Sequence, residues 1–166
     1  MNTDKVYLVG FMGAGKSTVA QRLARRLGWS AEDLDERIED REGRPVAQIF
    51  SQEGEAYFRQ VEHTALRELV PQRHVVVATG GGTFADASNR AVIASDGASV
   101  WLDVSFDTAV GRLPPNAVRP LARDPATLVA LWNARQPAYA LAQRRVDAEA
   151  PVDDIVGQIL DWLEDE

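Results

Sequence analysis

Cysteine is absent from the 166 residues, and histidine occurs only as His63 and His74. These shortages exclude disulfides, thiol nucleophiles and zinc centres built from Cys or His, so any metal is expected on oxygen ligands. Lysine is almost as scarce, with Lys5 and Lys16 standing against 16 arginines, so the placing of each lysine carries information. No apolar run approaches the roughly 18 residues that a membrane helix requires. Met1-Asn2-Thr3-Asp4 also lacks the basic start of a secretory leader, so the expected location is the cytoplasm and no membrane partner is expected. An excess of positive charge is missing too. Eighteen Lys and Arg against 25 Asp and Glu give a formal net charge of -7, which opposes binding to nucleic acid or an anionic lipid surface.

What remains is an ordinary globular composition, 45% hydrophobic and 26% charged, in a length that suits one domain spanning residues 1–166. Val6-Tyr7-Leu8-Val9 reads as a strand ended by a glycine cluster. Ala20, Leu23, Ala24 and Leu27 then recur at helical spacing until Gly28 stops them. Val75-Val76-Val77-Ala78 and Val100-Trp101-Leu102 are further apolar runs, and unbroken apolarity suits strands covered on both faces. Phe58, Val61, Ala65 and Leu69 mark one helix; Val152, Ile155, Val156, Ile159, Leu160 and Leu163 mark a terminal one. The alternation predicts an α/β fold with a parallel sheet. Weaker strand signals lie near residues 30–33 and 145–148. Residues 112–125 hold four of the eight prolines and little periodicity, which predicts an excursion from the core, either a closing lid or a proline-stiffened loop. The four tryptophans and both histidines are read as packing or surface residues.

Gly10-Phe11-Met12-Gly13-Ala14-Gly15-Lys16-Ser17 matches G-x-x-x-x-G-K-S/T in full, between a predicted strand and a predicted helix. In such a loop main-chain N–H groups converge on phosphate oxygens and the helix N-terminus adds positive potential. The lysine supplies a mobile cation and the serine a hydroxyl for Mg²⁺. Three other patterns could face a bound nucleotide. Asp33-Leu34-Asp35 could divide metal and proton work, or simply cap a helix. Arg59 and Glu62, three apart on a helix, could be an aimed guanidinium with its carboxylate, or a weak surface pair. Gly80-Gly81-Gly82 after a strand could admit a ligand to the backbone, or form a loose turn.

Taken in order, these motifs make the chain resemble the shikimate kinase family over nearly its whole length. The resemblance rests on G-F-M-G-A-G-K-S-T, D-x-D followed by I-E, G-E-x-x-F-R-x-x-E, G-G-G, an R-P-L flap, and R-x-P-x-Y at Arg135 to Tyr139. It implies a three-layer α/β/α fold around a five-stranded parallel sheet, with substrate helices near 33–62 and a mobile lid near 112–125. The implied activity is transfer of the γ-phosphoryl group of ATP to the 3-hydroxyl of shikimate, with Mg²⁺, in a monomer. Carried over, Gly13, Ala14, Gly15, Lys16, Ser17 and Thr18 bind the phosphates, and Ser17 and Asp33 hold the metal. Asp35 binds the acceptor hydroxyls and takes the proton. Arg59 and Arg135 grip the substrate carboxylate beside Gly80, Gly81 and Gly82. Arg119 closes over the phosphates as a catalytic group, and Arg112 lies against adenine.

The chain departs from the family pattern at Leu34, where Ser or Thr is common, at Pro114-Pro115 in the flap, and at Ala148 to Pro151, which lacks a basic residue. The rival readings are another small-metabolite kinase, such as a gluconate kinase, and a nucleotide-binding module without turnover.

Overall fold

The computed structural model of the chain describes residues 1–113 and 124–166. Its centre is the first apolar run, a strand β1 from Lys5 to Val9 that is buried at every position. Around it lie β2 (Ser30–Asp33), β3 (Val75–Ala78), β4 (Ala98–Asp103) and β5 (Arg144–Asp147), in the spatial order β2-β3-β1-β4-β5. Every neighbouring pair is parallel, and Tyr7 stands beside both Val77 and Ser99. The two faintly signalled strands, β2 and β5, are the sheet edges. They are partly exposed and carry charges, which is why apolar patterning barely marks them.

Helix α1 (Lys16–Leu27) follows β1 and buries Val19, Ala20, Leu23 and Ala24 before Gly28 ends it in the left-handed region. After β2 come α2 (Leu34–Glu42), α3 (Val46–Glu53) and α4 (Glu55–Glu68); α3 carries no signal recognised in the sequence. A 3₁₀ turn (Thr83–Ala85) and α5 (Ala87–Asp96) join β3 to β4. Helices α6 (Phe106–Gly111) and α7 (Pro125–Tyr139) precede β5, and the amphipathic α8 (Val152–Asp165) closes the order, packed against α1. The sheet between two helical layers is the expected three-layer α/β/α arrangement. No helix among the described residues is long and apolar enough to cross a membrane.

The two lysines mark opposite poles of β1. Lys5 is fully buried at the strand's start, where its ammonium donates to the carbonyls of Leu69 (2.7 Å) and Val70 (3.0 Å) and to Asp96 Oδ2 (2.7 Å). The Tyr7 hydroxyl donates to the same oxygen at 2.5 Å, and burial, followed by this hydrogen bond and then the Asp96 charge, pushes its pKa far up. Three such bonds from its ammonium make Lys5 an internal clamp between β1, the end of α4 and α5. Lys16, beyond the other end of β1, faces the site.

Candidate active site

Parallel α/β sheets gather ligands at the carboxyl ends of their strands, and here three of those ends, those of β1, β2 and β3, carry predicted groups. The loop after β1 is pinned from behind. A Cβ on Gly13, at φ 78°, would lie 2.2 Å from the Ala109 carbonyl oxygen of α6, so only glycine fits there. Phe11 packs edge-on against Trp132 of α7, ring centroids 5.2 Å apart, which ties the loop to the helix bearing Arg135. Lys16 Nζ donates to the carbonyls of Gly10 (2.5 Å) and Phe11 (2.9 Å), arching over the loop's own backbone. Gly13, Ala14, Gly15, Lys16, Ser17 and Thr18 all line a cavity of about 320 Å³ whose far wall holds Asp33, Asp35 and Gly81.

Asp33 caps α2, accepting from the Glu36 N–H at 3.1 Å through Oδ1, while Oδ2 accepts from the Ser17 hydroxyl. Capping and site duty are thus shared by one carboxylate. Leu34 is fully buried and its aspartate neighbours are at most half-buried, so Leu34 serves packing. Asp35 stands in the first turn of α2, as its second residue.

The Arg59 and Glu62 pair is no surface ornament. Glu62 is 0% exposed and its Oε1 accepts from Arg59 Nη1 at 2.9 Å. Burial pushes its pKa up, Arg59 and the Thr83 hydroxyl pull it down, and the Asp35 charge adds to the upward side. The glycine turn runs through the middle of this set. A Cβ on Gly80 would lie 3.0 Å from Asp35 Oδ1 and 3.2 Å from Glu62 Oε2. On Gly81 it would lie 3.2 Å from Arg135 Nη1. On Gly82 it would meet Arg59 Nη1 and Nη2 at 2.6 Å and Arg135 Nη2 at 2.9 Å. Arg135 is 5% exposed, and Tyr139, one turn on, donates to the Gly81 carbonyl at 2.5 Å.

Arg112 lies on the other side of the phosphate loop. It donates to the carbonyls of Ala14 (3.3 Å) and Ala148 (3.4 Å), joining the loop to the segment after β5. That segment lacks a basic residue but has an acidic one in use. Glu149 accepts from the Ser105 N–H (2.7 Å) and the Thr108 hydroxyl (2.8 Å), and these bonds hold its pKa below the ordinary value. Arg119, Pro114 and Pro115 lie outside the described residues. Sequence reading missed Thr83, Asn89, Tyr139 and Glu149; of these only Tyr139 falls within a recognised motif.

A phosphate loop on the central strand of this sheet order places the chain among the P-loop kinases, and its structural likenesses fall in that class. It belongs to the shikimate kinase family, whose model matches residues 12–164. A shikimate kinase of Moorella thermoacetica is 40% identical over 166 residues, covering 96% of each chain. The structure of shikimate kinase from Acinetobacter baumannii in complex with shikimate superposes with a TM-score of 0.93 at 33% identity, covering 99% of this chain and 94% of that one. A gluconokinase from Sinorhizobium meliloti reaches 0.65 at 20% identity, covering 96% of this chain and 90% of that one, a likeness of fold alone.

Proposed function

We infer that the chain is a shikimate kinase, converting ATP and shikimate to ADP and shikimate 3-phosphate. The observation that carries the acceptor's identity is the meeting of Arg59 and Arg135 at Gly82. Two guanidiniums brought to one point beside bare backbone suit a planar carboxylate, gripped through several charge-assisted hydrogen bonds.

The ring docked there turns a hydroxyl toward Asp35. As the hydroxyl oxygen bonds to the γ-phosphorus and the bond to the β-phosphate oxygen breaks, the hydroxyl proton passes to the Asp35 carboxylate. Lys16 exchanges its loop carbonyls for the β- and γ-phosphate oxygens, while loop N–H groups hold the phosphates in line. Ser17 Oγ and Asp33 Oδ2 are in contact, an all-oxygen pair that would hold Mg²⁺, whose charge would offset that of the phosphates. Arg119, which lies outside the described residues, is assigned to the phosphates by its motif alone, and the chain works as a single-domain cytoplasmic monomer. A panel of shikimate, quinate, gluconate and nucleoside monophosphates, each with Mg·ATP, tests the reading. ADP release is expected with shikimate, and preference for gluconate or a nucleotide overturns it.

The nucleoside extends to the β4–β5 side, since the acceptor groups occupy the β2–β3 side. Glu149 therefore stiffens the ledge on which the base rests. Glu149→Ala is expected to raise KM for ATP by about 3- to 10-fold, the worth of one ordinary hydrogen bond, and to leave KM for shikimate unchanged. Steady-state kinetics with each substrate varied in turn checks this.

A further inference from the structure

Thr83 stands just past the glycine turn, fully buried, on a 3₁₀ turn too short to announce itself in sequence. Its hydroxyl accepts from the Gly80 N–H at 2.9 Å and lies 3.0 Å from Glu62 Oε2. The roles are fixed by chemistry. An amide N–H can only donate and an ionised carboxylate can only accept, so the single hydroxyl proton points to Glu62. The other oxygen of Glu62 is the one that accepts from Arg59.

We propose that Thr83 is a positioning residue for the acceptor, its hydroxyl locking the Gly80 turn to the carboxylate that aims Arg59. The proposal rests on the shikimate kinase reading above. Both ends of the link matter to the same ligand. Gly80 is wedged between Asp35 and Glu62, so a shift of its amide moves the wall facing the acceptor hydroxyl. Glu62 sets the direction of one of the two guanidiniums that meet at Gly82.

The residue is itself held from the opposite side. The Thr83 carbonyl accepts from Asn89 Nδ2 at 3.0 Å. The remaining Asn89 oxygen meets His63 Nδ1 at 2.6 Å. Asn89 belongs to α5 and is held at its start by Asp86, which caps that helix. Thr83 thus has little freedom to turn its hydroxyl elsewhere.

Charge sharpens the argument. Glu62 faces Arg59 on its own helix, Asp35 from α2 and Thr83 from the 3₁₀ turn, with His63 next to it in the chain. Burial and Asp35 favour its neutral form; Arg59 and the Thr83 hydroxyl favour the ion. Removing the hydroxyl takes away a bond that is stronger to the charged oxygen than to the neutral acid, so Glu62 then binds its proton at higher pH. A neutral Glu62 holds Arg59 more weakly, without the pairing of opposite charges.

Thr83→Val keeps the shape and removes the hydroxyl; Thr83→Ser keeps the hydroxyl. Thr83→Val is expected to raise KM for shikimate by about 5- to 20-fold, with KM for ATP within about twofold of wild type. The acid limb of kcat/KM for shikimate moves to higher pH, and Thr83→Ser restores both. In a Glu62→Gln background, Thr83→Val is expected to add little, because the two residues act as one unit. An unchanged shikimate KM and acid limb in Thr83→Val overturns the proposal. So do equal rises in both KM values that serine fails to rescue, and so do additive effects with Glu62→Gln. A wild-type enzyme that leaves shikimate unphosphorylated refutes the functional reading itself.

Discussion

Asp35→Asn is expected to lower kcat by about 100-fold or more while the fold and ATP binding persist. Asparagine has the same shape and can still accept a hydrogen bond through one oxygen, but it cannot take a proton from a hydroxyl as the phosphorus bond forms. The first turn of α2 is capped by Asp33 rather than by Asp35, so the helix start does not depend on the charge being removed. The apolar anchors of this helix, Leu34 and Ile38, are likewise untouched. Turnover at saturating shikimate, thermal unfolding and nucleotide affinity together separate these effects. Normal turnover in the variant removes Asp35 from its role.

Gly82→Ala is expected to raise KM for shikimate by about 10- to 100-fold, the equivalent of one or two charge-assisted hydrogen bonds lost. Gly82 has φ −102°, which any residue adopts, so backbone strain plays no part. The whole effect comes from one methyl group placed 2.6 Å from both terminal nitrogens of Arg59 and 2.9 Å from Arg135 Nη2. Those guanidiniums must withdraw, and the carboxylate loses its grip. The ATP side lies beyond the phosphate loop and keeps its KM. Gly157→Ala in α8, where nothing lies within 4 Å of the new methyl, is the control: it leaves shikimate KM unchanged and favours the helix by about 0.5–1 kcal/mol. A Gly82→Ala enzyme with wild-type shikimate KM refutes the convergence of the two arginines as the carboxylate site.

The phosphate loop, α1 and the central strands were legible because their signals are local. A motif of fixed spacing sits between an apolar run and an amphipathic repeat, and chain connectivity alone brings these together. The edge strands β2 and β5 were faint, since half-exposed strands need little apolar content. Glu62 shows the limit most clearly. Its spacing from Arg59 is the same whether the pair is solvated or sealed, and only the packing of α4 beside the 3₁₀ turn decides that it is sealed. Thr83 and Asn89 had no pattern to reveal them, because each acts across elements far apart in sequence. Lys5 was noticed for its rarity, and burial then gave it a structural task. Arg119 and the flap prolines lie outside the described residues, so their roles rest on the family motif.

The strand order has a bearing on how such enzymes diversify. With the phosphate loop on the middle strand, the proposed acceptor groups fall toward one flank of the sheet and the proposed nucleoside ledge toward the other. Edits confined to the D-x-D strand end, the two helices that supply guanidiniums and the triple-glycine corner can retune which metabolite is accepted without disturbing the energy currency. Inheritance of a fixed half beside a negotiable one is a physical route by which a single scaffold serves many small alcohols.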